Sequence, residues 1–238
     1  MNDVKFTIIT VVFNNVKTIE DTIQSIIQQS YTNFEYIVVD GGSNDGTLAI
    51  LEKYRGEISV LISEPDEGIY DAMNKGIRCA TGELIGIVNS DDWLENDALM
   101  NVCKSYQENV DVYYGFIRTI KSESEFSVSR FSHNFINEKM IHHPATFISR
   151  NTYARFGLYD LSYKMSADYD FILRLYNGGA IFKPVNHIIS NFREGGVSST
   201  VNAMIDTIRV KEKNGILVRK MVKFKVWLLK IKEAMLCF

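Results

Sequence analysis

Two hydrophobic patterns alternate along the first ninety or so residues. Short aliphatic runs predict buried strands, at Lys5–Phe13, Phe34–Val39, Ile58–Ser63 and Leu84–Val88. Apolar residues at helical spacing predict the helices between them, at Thr18–Gln29, Thr47–Tyr54 and Ile69–Ala80. Strands that alternate with helices in this way form parallel βαβ units. We therefore expect an α/β protein with a doubly wound, mostly parallel sheet.

The pattern becomes less regular further along the chain. Further elements are predicted as a helix at Asp97–Tyr106, a strand at Val110–Tyr114, an antiparallel edge pair within Arg118–Phe131, a strand at Ala145–Ser149 and a helix at Asp168–Tyr176. No internal repeat, low-complexity stretch or Pro/Gly-rich linker interrupts them. We expect one domain over residues 1–205 and a separate tail over residues 206–238.

Composition and charge narrow the class of protein. Hydrophobic residues make up 46% and charged residues 23% of the 238 residues, as in ordinary globular proteins. The three cysteines form no CxxC pair, which favours a reducing compartment over a disulfide framework or structural zinc. We find no signal peptide and no run long enough to span a membrane, so we expect a cytoplasmic protein.

The net charge of −3 hides an asymmetry. Residues 209–238 hold nine Lys/Arg and two acidic residues, a net +7, which leaves −10 for the remainder. Aromatic and aliphatic residues alternate with lysines over residues 215–238, the pattern of a basic amphipathic helix at an anionic membrane surface. A helix that docks on the domain with a solvated basic face is the alternative. Neither pattern indicates nucleic-acid binding.

Polar residues follow the four predicted strands where each ends, namely Asn14, Asp40, Asp66 and the pair Asp91-Asp92. Carboxyl ends of parallel strands share one edge of a sheet, so we expect these groups to line one crevice. The adjacent carboxylates of the last turn suit a hard divalent cation with substrate phosphates. An Asp-Asp cap of a helix beginning near Glu95 explains the turn equally well. The chain has neither G-x-G-x-x-G nor a Walker loop.

Four segments carry a resemblance to a known family. They are TVVFN at Thr10–Asn14, VVDGGSNDGT at Val38–Thr47, EPDEGIYDAMNKG at Glu64–Gly76 and NSDD at Asn89–Asp92. Their order resembles that of inverting family 2 glycosyltransferases, most of all bacterial enzymes of O-antigen, capsule and exopolysaccharide assembly. The resemblance covers residues 5–200. It implies a GT-A fold, with a nucleotide-sugar half at 1–115 and an acceptor half at 116–205.

The same resemblance implies the reaction and its substrates. The donor would be a nucleotide-diphospho-sugar, most often a UDP-sugar, used with Mn²⁺ or Mg²⁺. The acceptor would be a carbohydrate hydroxyl, on a glycan carried by a polyprenyl diphosphate at the inner face of the plasma membrane. Two alternatives stay open at this point. One is a catalytically silent nucleotide-sugar-binding or assembly module. The other is a nucleotidyltransferase, although that class begins with a Gly-rich first loop.

Site residues follow from the matched motifs. The resemblance assigns donor binding to Val12, Phe13, Asn14, Asp40, Asp66, Asp71, Asn74, Lys75 and Asp91. The first three would line the nucleoside, and Asp40 would lie near the uracil and ribose. Many members have Asp-Asp where this chain has Asp40-Gly41, so the base contact comes either from Asp40 or from backbone. In the metal-binding DXD motif, whose first position is Ser90 here, Asp92 would be the metal ligand and Asp91 would face the donor sugar or ribose.

A second acidic segment, Met165–Asp170, resembles the family motif that supplies the catalytic base. Ala167 replaces the frequent Glu of that motif, which leaves Asp168 as the matching base. A helix N-cap is the alternative role for Asp168, and the two roles are compatible. Further acceptor or loop candidates are His142, His143, Gly196 and Ser198.

Overall fold

The computed structural model describes residues 3–122, 124–195, 200–218, 221–222 and 224–229. The strands are β1 (Phe6–Val12), β2 (Phe34–Asp40), β3 (Val60–Ser63), β4 (Leu84–Asn89), β5 (Trp93–Leu94), β6 (Val112–Ser122), β7 (Glu125–Ser129), β8 (Thr146–Ser149) and β9 (Phe182–Arg193). The helices are α1 (Ile19–Ile27), α2 (Thr47–Lys53), α3 (Ile69–Cys79), α4 (Ala98–Ser105), α5 (Arg150–Phe156), α6 (Ala167–Asn177) and α7 (Val201–Lys213).

The first four strands form the parallel half of a single sheet. β1 pairs in parallel with β2 on one side and β4 on the other, and β3 adds to β2. The order across the sheet is β3-β2-β1-β4-β8-β6-β9-β5, with β7 beside β6. Each crossover carries a helix, as right-handed parallel connections require. The predicted α/β fold class is therefore confirmed.

The second half of the sheet is mixed. β8 is antiparallel to both β4 and β6, whereas β9 is parallel to β6. β6 and β7 form an antiparallel pair, which confirms the edge pair predicted within Arg118–Phe131. The sequence pattern missed β5, α5, β9 and α7. β5 has only two residues, and β9 contains Pro184 and scattered polar residues, so that its pairing with β6 rather than a regular alternation defines it.

Hydrophobic side chains pack on both faces of the sheet. One cluster contains inward residues of α1 and α4, such as Ile23 and Leu99, and the other contains those of α3 and α6, such as Met73 and Phe171. α3 lies so close to β1 that a Cβ on Gly76 would be 2.6 Å from Ile9 Cγ2. This close packing fixes the position of α3 against the sheet.

Helix α7 belongs to the packed body. Val210 is fully buried, and the Asp206 carboxylate accepts a hydrogen bond from the Met165 amide at 2.9 Å. Lys213 Nζ lies 3.1 Å from Asp160 Oδ2 and 3.5 Å from Asp170 Oδ1. The boundary expected between residues 205 and 206 falls inside this helix, so residues 206–213 pack with the preceding domain. Within the described ranges, no helix has the length and apolar character needed to traverse a bilayer.

Candidate active site

The carboxyl ends of the parallel strands meet at one edge, as the sequence predicted. Val12 is level with Asp40 across β1 and β2, and Val11 is level with Asn89 across β1 and β4. Asp40 is in turn level with Ser63 at the end of β3. The loops that follow these four strands therefore begin side by side, in the position where open α/β sheets bind ligands.

An exposed aromatic ring marks the middle of this edge. Phe13 follows β1 with 62% of its surface accessible. A Cβ built on Gly41 would lie 3.3 Å from Phe13 Cδ2 and only 2.5 Å from Asp66 Oδ2. The Asp66 carboxylate therefore occupies the space beside the missing side chain of Gly41. Phe13 and Asp66 therefore present an aromatic face and a carboxylate next to each other at this edge of the sheet.

Asp40, by contrast, is completely buried. Its carboxylate accepts hydrogen bonds from the hydroxyls of Ser43, at 2.5 Å, and Ser63, at 2.6 Å. The Ser43 amide adds a third donor at 3.1 Å. These donors hold the Gly-rich turn against β3. The structure thus uses Asp40 to shape the site, and of the two carboxylates it presents Asp66 to solvent.

The other two residues at the end of β1 also have structural partners. The Val12 side chain is buried, and its carbonyl accepts from the Gly41 amide at 2.9 Å. Asn14 adopts a left-handed conformation with φ of 50°. Its Oδ1 accepts from the Asn44 amide at 2.8 Å, which joins the loop after β1 to the loop after β2. Of the three residues predicted to line the nucleoside, Phe13 has its side chain largely free.

The loop before α3 and the first turns of α3 bring three more predicted residues together. The Asp66 carboxylate accepts from the Gly68 amide, and the Asp71 carboxylate from the Glu67 amide. Lys75 Nζ lies 3.6 Å from Asp71 Oδ2 and donates to the Pro65 carbonyl at 3.0 Å. These contacts hold the loop in a compact form at the crevice edge.

Asn74 points elsewhere. Its amide exchanges two hydrogen bonds with the backbone of Tyr159, each of 3.0 Å, and the side chain is buried. The sequence placed Asn74 in the donor site. In the structure, both polar groups of the Asn74 side chain instead form hydrogen bonds that join α3 to the loop after α5.

The Asp91-Asp92 turn is held by the segment before α1 and by α1 itself, where the Thr22 hydroxyl donates to the Asp92 carbonyl at 2.7 Å. Asn15 Nδ2 donates to Ser90 Oγ at 2.9 Å, and the Thr18 hydroxyl donates to the Ser90 carbonyl at 2.9 Å. Thr18 precedes α1 as its N-cap residue, but its side chain makes no capping hydrogen bond. α4 begins only at Ala98, after Asp97, so the alternative that the Asp pair caps a helix near Glu95 is wrong.

The two carboxylates of this turn differ in environment. Asp92 is fully buried, and the Arg193 amide lies 3.3 Å from its Oδ1. Burial, together with the charge of Asp91, raises the pKa of Asp92 well above its usual range. Asp91 is partly exposed. Asp91 is thus the member of the pair that a bound group reaches without rearrangement.

Arg193, at the end of β9, lies over the turn. Its guanidinium donates to the Asp91 carbonyl at 2.9 Å, pairs with Asp21 Oδ2 at 2.8 Å and stacks 4.6 Å from the centre of the Trp93 ring. No pattern in the sequence pointed to Arg193, because β9 was not predicted.

The oxygen atoms around this turn are too few to bind a metal ion alone, but they suit one whose other ligands come from outside the protein. Throughout the part of the chain that the structure describes, no three His, Cys, Asp or Glu side chains are grouped for metal binding. Asn89 Oδ1, however, is buried without a hydrogen-bond partner beside Asp92. An orphaned oxygen and two carboxylates fit a divalent ion whose remaining ligands are phosphate oxygens and water.

Asp168 lies in the first turn of α6, after the N-cap Ser166, so the alternative that Asp168 itself is the N-cap is wrong. Its Oδ1 accepts from the Tyr70 hydroxyl at 2.8 Å and from the Tyr169 amide at 2.9 Å. Tyr70 belongs to α3, directly after the loop that carries Asp66. The structure therefore joins the second acidic motif to the donor-side loop through one tyrosine, a residue to which the sequence motifs assigned no role.

The two histidines face different surroundings. His143 Nε2 lies 3.1 Å from the Tyr159 hydroxyl. Burial lowers the pKa of His143, and the charge of Asp168 partly offsets this effect. His142 Nε2 lies 2.9 Å from Ser129 Oγ on β7. Only His143 thus shares the surroundings of Asp168. Gly196 and Ser198 lie outside the described residues.

A separate polar cavity of about 480 Å³ is lined in part by Trp93 and Leu94. Arg118, Glu95 and Asn191 in its wall bond to one another, with Arg118 Nη1 donating to Glu95 Oε1 and Asn191 Oδ1. These polar groups satisfy one another, and none of the predicted site residues lines this cavity.

Comparison with known proteins identifies the family. The family model described as Glycosyl transferase family 2 matches residues 7–162. This chain belongs to glycosyltransferase family 2. A PGL/p-HBAD biosynthesis glycosyltransferase of Mycobacterium tuberculosis is 31% identical over 204 residues, covering 82% of this chain and 80% of the relative. The Escherichia coli UDP-Glc:alpha-D-GlcNAc-diphosphoundecaprenol beta-1,3-glucosyltransferase WfgD is 32% identical over 126 residues, which are 52% of this chain and 50% of WfgD.

Solved structures agree on the fold of this family 2 glycosyltransferase. S. aureus TarS 1–349 in complex with UDP-GlcNAc superposes with a TM-score of 0.72 at 19% identity, over 88% of this chain and 66% of that one. The Pyrobaculum calidifontis mannosyltransferase PcManGT, in complex with GDP-Man and Mn²⁺, gives 0.68 at 18% identity, over 94% and 69%. This chain spans only 39% of the longer TarS structure. The predicted GT-A fold and the glycosyltransferase class are both confirmed, and the chain is an enzyme.

Proposed function

We propose that this glycosyltransferase moves one sugar from a UDP-sugar to a carbohydrate hydroxyl with inversion, and that Asp168 is the base. The hydrogen bond between Asp168 and Tyr70 carries this proposal, because it places the carboxylate against the element that leads out of the donor-side loop. Inversion needs one carboxylate beside the reacting carbon. Asp168 accepts the proton of the acceptor hydroxyl while that oxygen attacks the anomeric carbon, and the nucleoside diphosphate leaves from the opposite face.

Phe13 and Asp66 are the proposed nucleoside contacts. The exposed Phe13 ring offers a face for the base, and Asp66 offers a carboxylate for the uracil or the ribose. Many members of the family have Asp at the position of Gly41. Because glycine has no side chain, it leaves the space that Asp66 fills. Asp40 then contributes by holding the Ser43 turn, and the contact with the donor passes to Asp66.

The Asp91-Asp92 turn is the proposed site for Mn²⁺ or Mg²⁺ with the donor diphosphate. The accessibility of Asp91 favours it as the direct ligand, whereas the sequence pointed to Asp92. Asp92 and Asn89 lie behind it as buried oxygen donors. A cation bound here would offset the charge that develops on the leaving diphosphate.

The proposed acceptor is a glycan on a polyprenyl diphosphate, as the name of WfgD states for that relative. Such a lipid confines the reaction to a membrane surface, which fits the basic tail. Residues 224–229 are helical, and the Phe224 and Trp227 side chains are 59% and 57% exposed. The tail would bind anionic lipid at the inner face of the plasma membrane, in the setting of bacterial O-antigen or capsule synthesis.

Release of UDP tests the reaction. The purified chain is incubated with UDP-glucose, UDP-galactose or UDP-GlcNAc, with Mn²⁺ and GlcNAc-diphosphoundecaprenol. We expect acceptor-dependent UDP release and a loss of at least about 100-fold in Asp168→Asn, the usual contribution of a general base. Unchanged binding of UDP by Asp168→Asn would show that its site is intact. Tight UDP binding without turnover in the wild type would instead support the silent binding module.

A further inference from the structure

Both hydrogen-bond donors at Asp168 bind the same carboxylate oxygen. Oδ1 receives the Tyr70 hydroxyl at 2.8 Å and the Tyr169 amide at 2.9 Å. In the described part of the chain, no donor contacts Oδ2. The aspartate χ2 torsion is broad and two-fold on its own, so two donors on one oxygen define which oxygen is free.

Tyr70 is held firmly enough to orient its partner. Only 7% of its surface is exposed, and its ring lies 5.5 Å from the ring of Tyr159. Burial and the charge of Asp168 raise the pKa of Tyr70 well above its ordinary value. Its hydroxyl therefore stays protonated at neutral pH and donates to the carboxylate throughout the working range.

Tyr70 also belongs to the donor side of the site. It follows Gly68, whose amide donates to Asp66 Oδ1 at 2.8 Å, and precedes Asp71, whose carboxylate accepts from the Glu67 amide at 3.2 Å. The short segment from Asp66 to Asp71 thus carries two residues predicted to contact the sugar donor, together with the Tyr70 hydroxyl that binds Asp168. Any shift of this segment changes both.

We propose that Tyr70 is a positioning residue for transfer, which directs Oδ2 of Asp168 toward the acceptor hydroxyl and couples the base to the donor-side loop. The proposal rests on the proposed function, in which Asp168 is the base. Tyr70 does not touch the reacting atoms. Because the Tyr169 amide still holds Oδ1 when the hydroxyl is removed, loss of Tyr70 should weaken the base rather than abolish it.

Tyr70→Phe tests this inference, with Tyr153→Phe as the matched control. Tyr153 is buried in the same aromatic cluster, and among the described residues its hydroxyl contacts only that of Tyr159, at 3.5 Å. With UDP-sugar, Mn²⁺ and GlcNAc-diphosphoundecaprenol as above, we expect kcat to fall about tenfold in Tyr70→Phe and less than twofold in Tyr153→Phe. The affinity for UDP, measured by calorimetry, should stay within twofold in both.

Two further readouts separate positioning from a purely structural role. Removing a donor to the charged carboxylate should move the acidic limb of the pH–kcat profile to higher pH in Tyr70→Phe alone. In the double-mutant cycle, Tyr70→Phe should have no further effect on the residual rate of Asp168→Asn, because it acts through that carboxylate.

An inactive Asp168→Asn together with a wild-type rate and pH profile in Tyr70→Phe would overturn the inference and leave the proposed function intact. Equal losses of rate in Tyr70→Phe and Tyr153→Phe would also overturn it, since both would then reflect packing. A wild-type rate in Asp168→Asn would refute the base itself.

Discussion

Gly41 and Asp66 share a space that holds only one side chain. A Cβ at position 41 would lie 2.5 Å from Asp66 Oδ2, so any larger residue there must displace the carboxylate. The turn after β2 and the loop after β3 are thus fitted to each other at the proposed nucleoside site. This fit leads to the first prediction.

Gly41→Ala should weaken UDP binding about tenfold, a free-energy loss of about 1.4 kcal/mol, because the added methyl displaces Asp66. Isothermal titration calorimetry gives the Kd. Gly56→Ala is the matched control, since a Cβ at Gly56 meets nothing within 4 Å. Equal affinities in the two variants would remove Asp66 from the nucleoside site.

Asn74→Ala should cost about 2 kcal/mol of unfolding free energy, because it leaves a buried amide and carbonyl of Tyr159 without partners. Urea unfolding measures the loss. The exposed Asn151→Ala should change stability by less than about 0.5 kcal/mol. A stable Asn74→Ala with weakened UDP binding would return Asn74 to the donor site, as the sequence first indicated.

Asp91→Asn and Asp92→Asn should have different effects on the melting temperature, measured in metal-free protein and in protein with UDP and Mn²⁺. Asp92→Asn should keep or raise the melting temperature, because burial and Asp91 already disfavour the charge on Asp92. Asp91→Asn should leave the melting temperature unchanged but remove the added stabilisation by UDP that depends on Mn²⁺. Thermal unfolding with UDP, with and without Mn²⁺, measures both. The reverse pattern would restore Asp92 as the direct ligand.

His142 should make the protein less stable in acid. Burial and the charge of Lys139 lower its pKa to about 4 in the folded state, against about 6.5 in the unfolded chain. The unfolded state therefore takes up a proton first as the pH falls. The free energy of unfolding is highest above pH 6.5 and decreases by up to about 3 kcal/mol toward pH 4. Urea unfolding of wild type and His142→Gln over this range measures the difference, and parallel curves would contradict it.

The tail should carry the chain to anionic membranes. Replacing Phe224 and Trp227 together by Ser should abolish sedimentation with vesicles rich in phosphatidylglycerol, because both exposed rings would insert into the lipid interface. Neutral vesicles should bind neither protein. Phe135→Ser, which removes an equally exposed ring outside the tail, should bind like the wild type. Binding that survives loss of both tail rings would favour a tail that docks on the domain.

The sequence by itself determined the parallel half of the sheet and the edge at which the site lies. Buried parallel strands need continuous aliphatic runs, and their carboxyl ends share one edge, so β1 to β4 and the polar residues after them followed from pattern alone. The ordered motifs likewise gave the family, because their residues are contiguous in the chain.

Only the tertiary structure decided which of those polar residues are exposed. Asp40, Asn74 and Asp92 have the same side-chain chemistry as groups that bind ligands, yet each is buried and bonded to the fold. Partners from distant segments set that outcome: Tyr70 meets Asp168, and Arg193 covers the Asp91 turn, across about a hundred residues in each case. Burial and hydrogen bonding depend on contacts between such segments, and no local pattern encodes them.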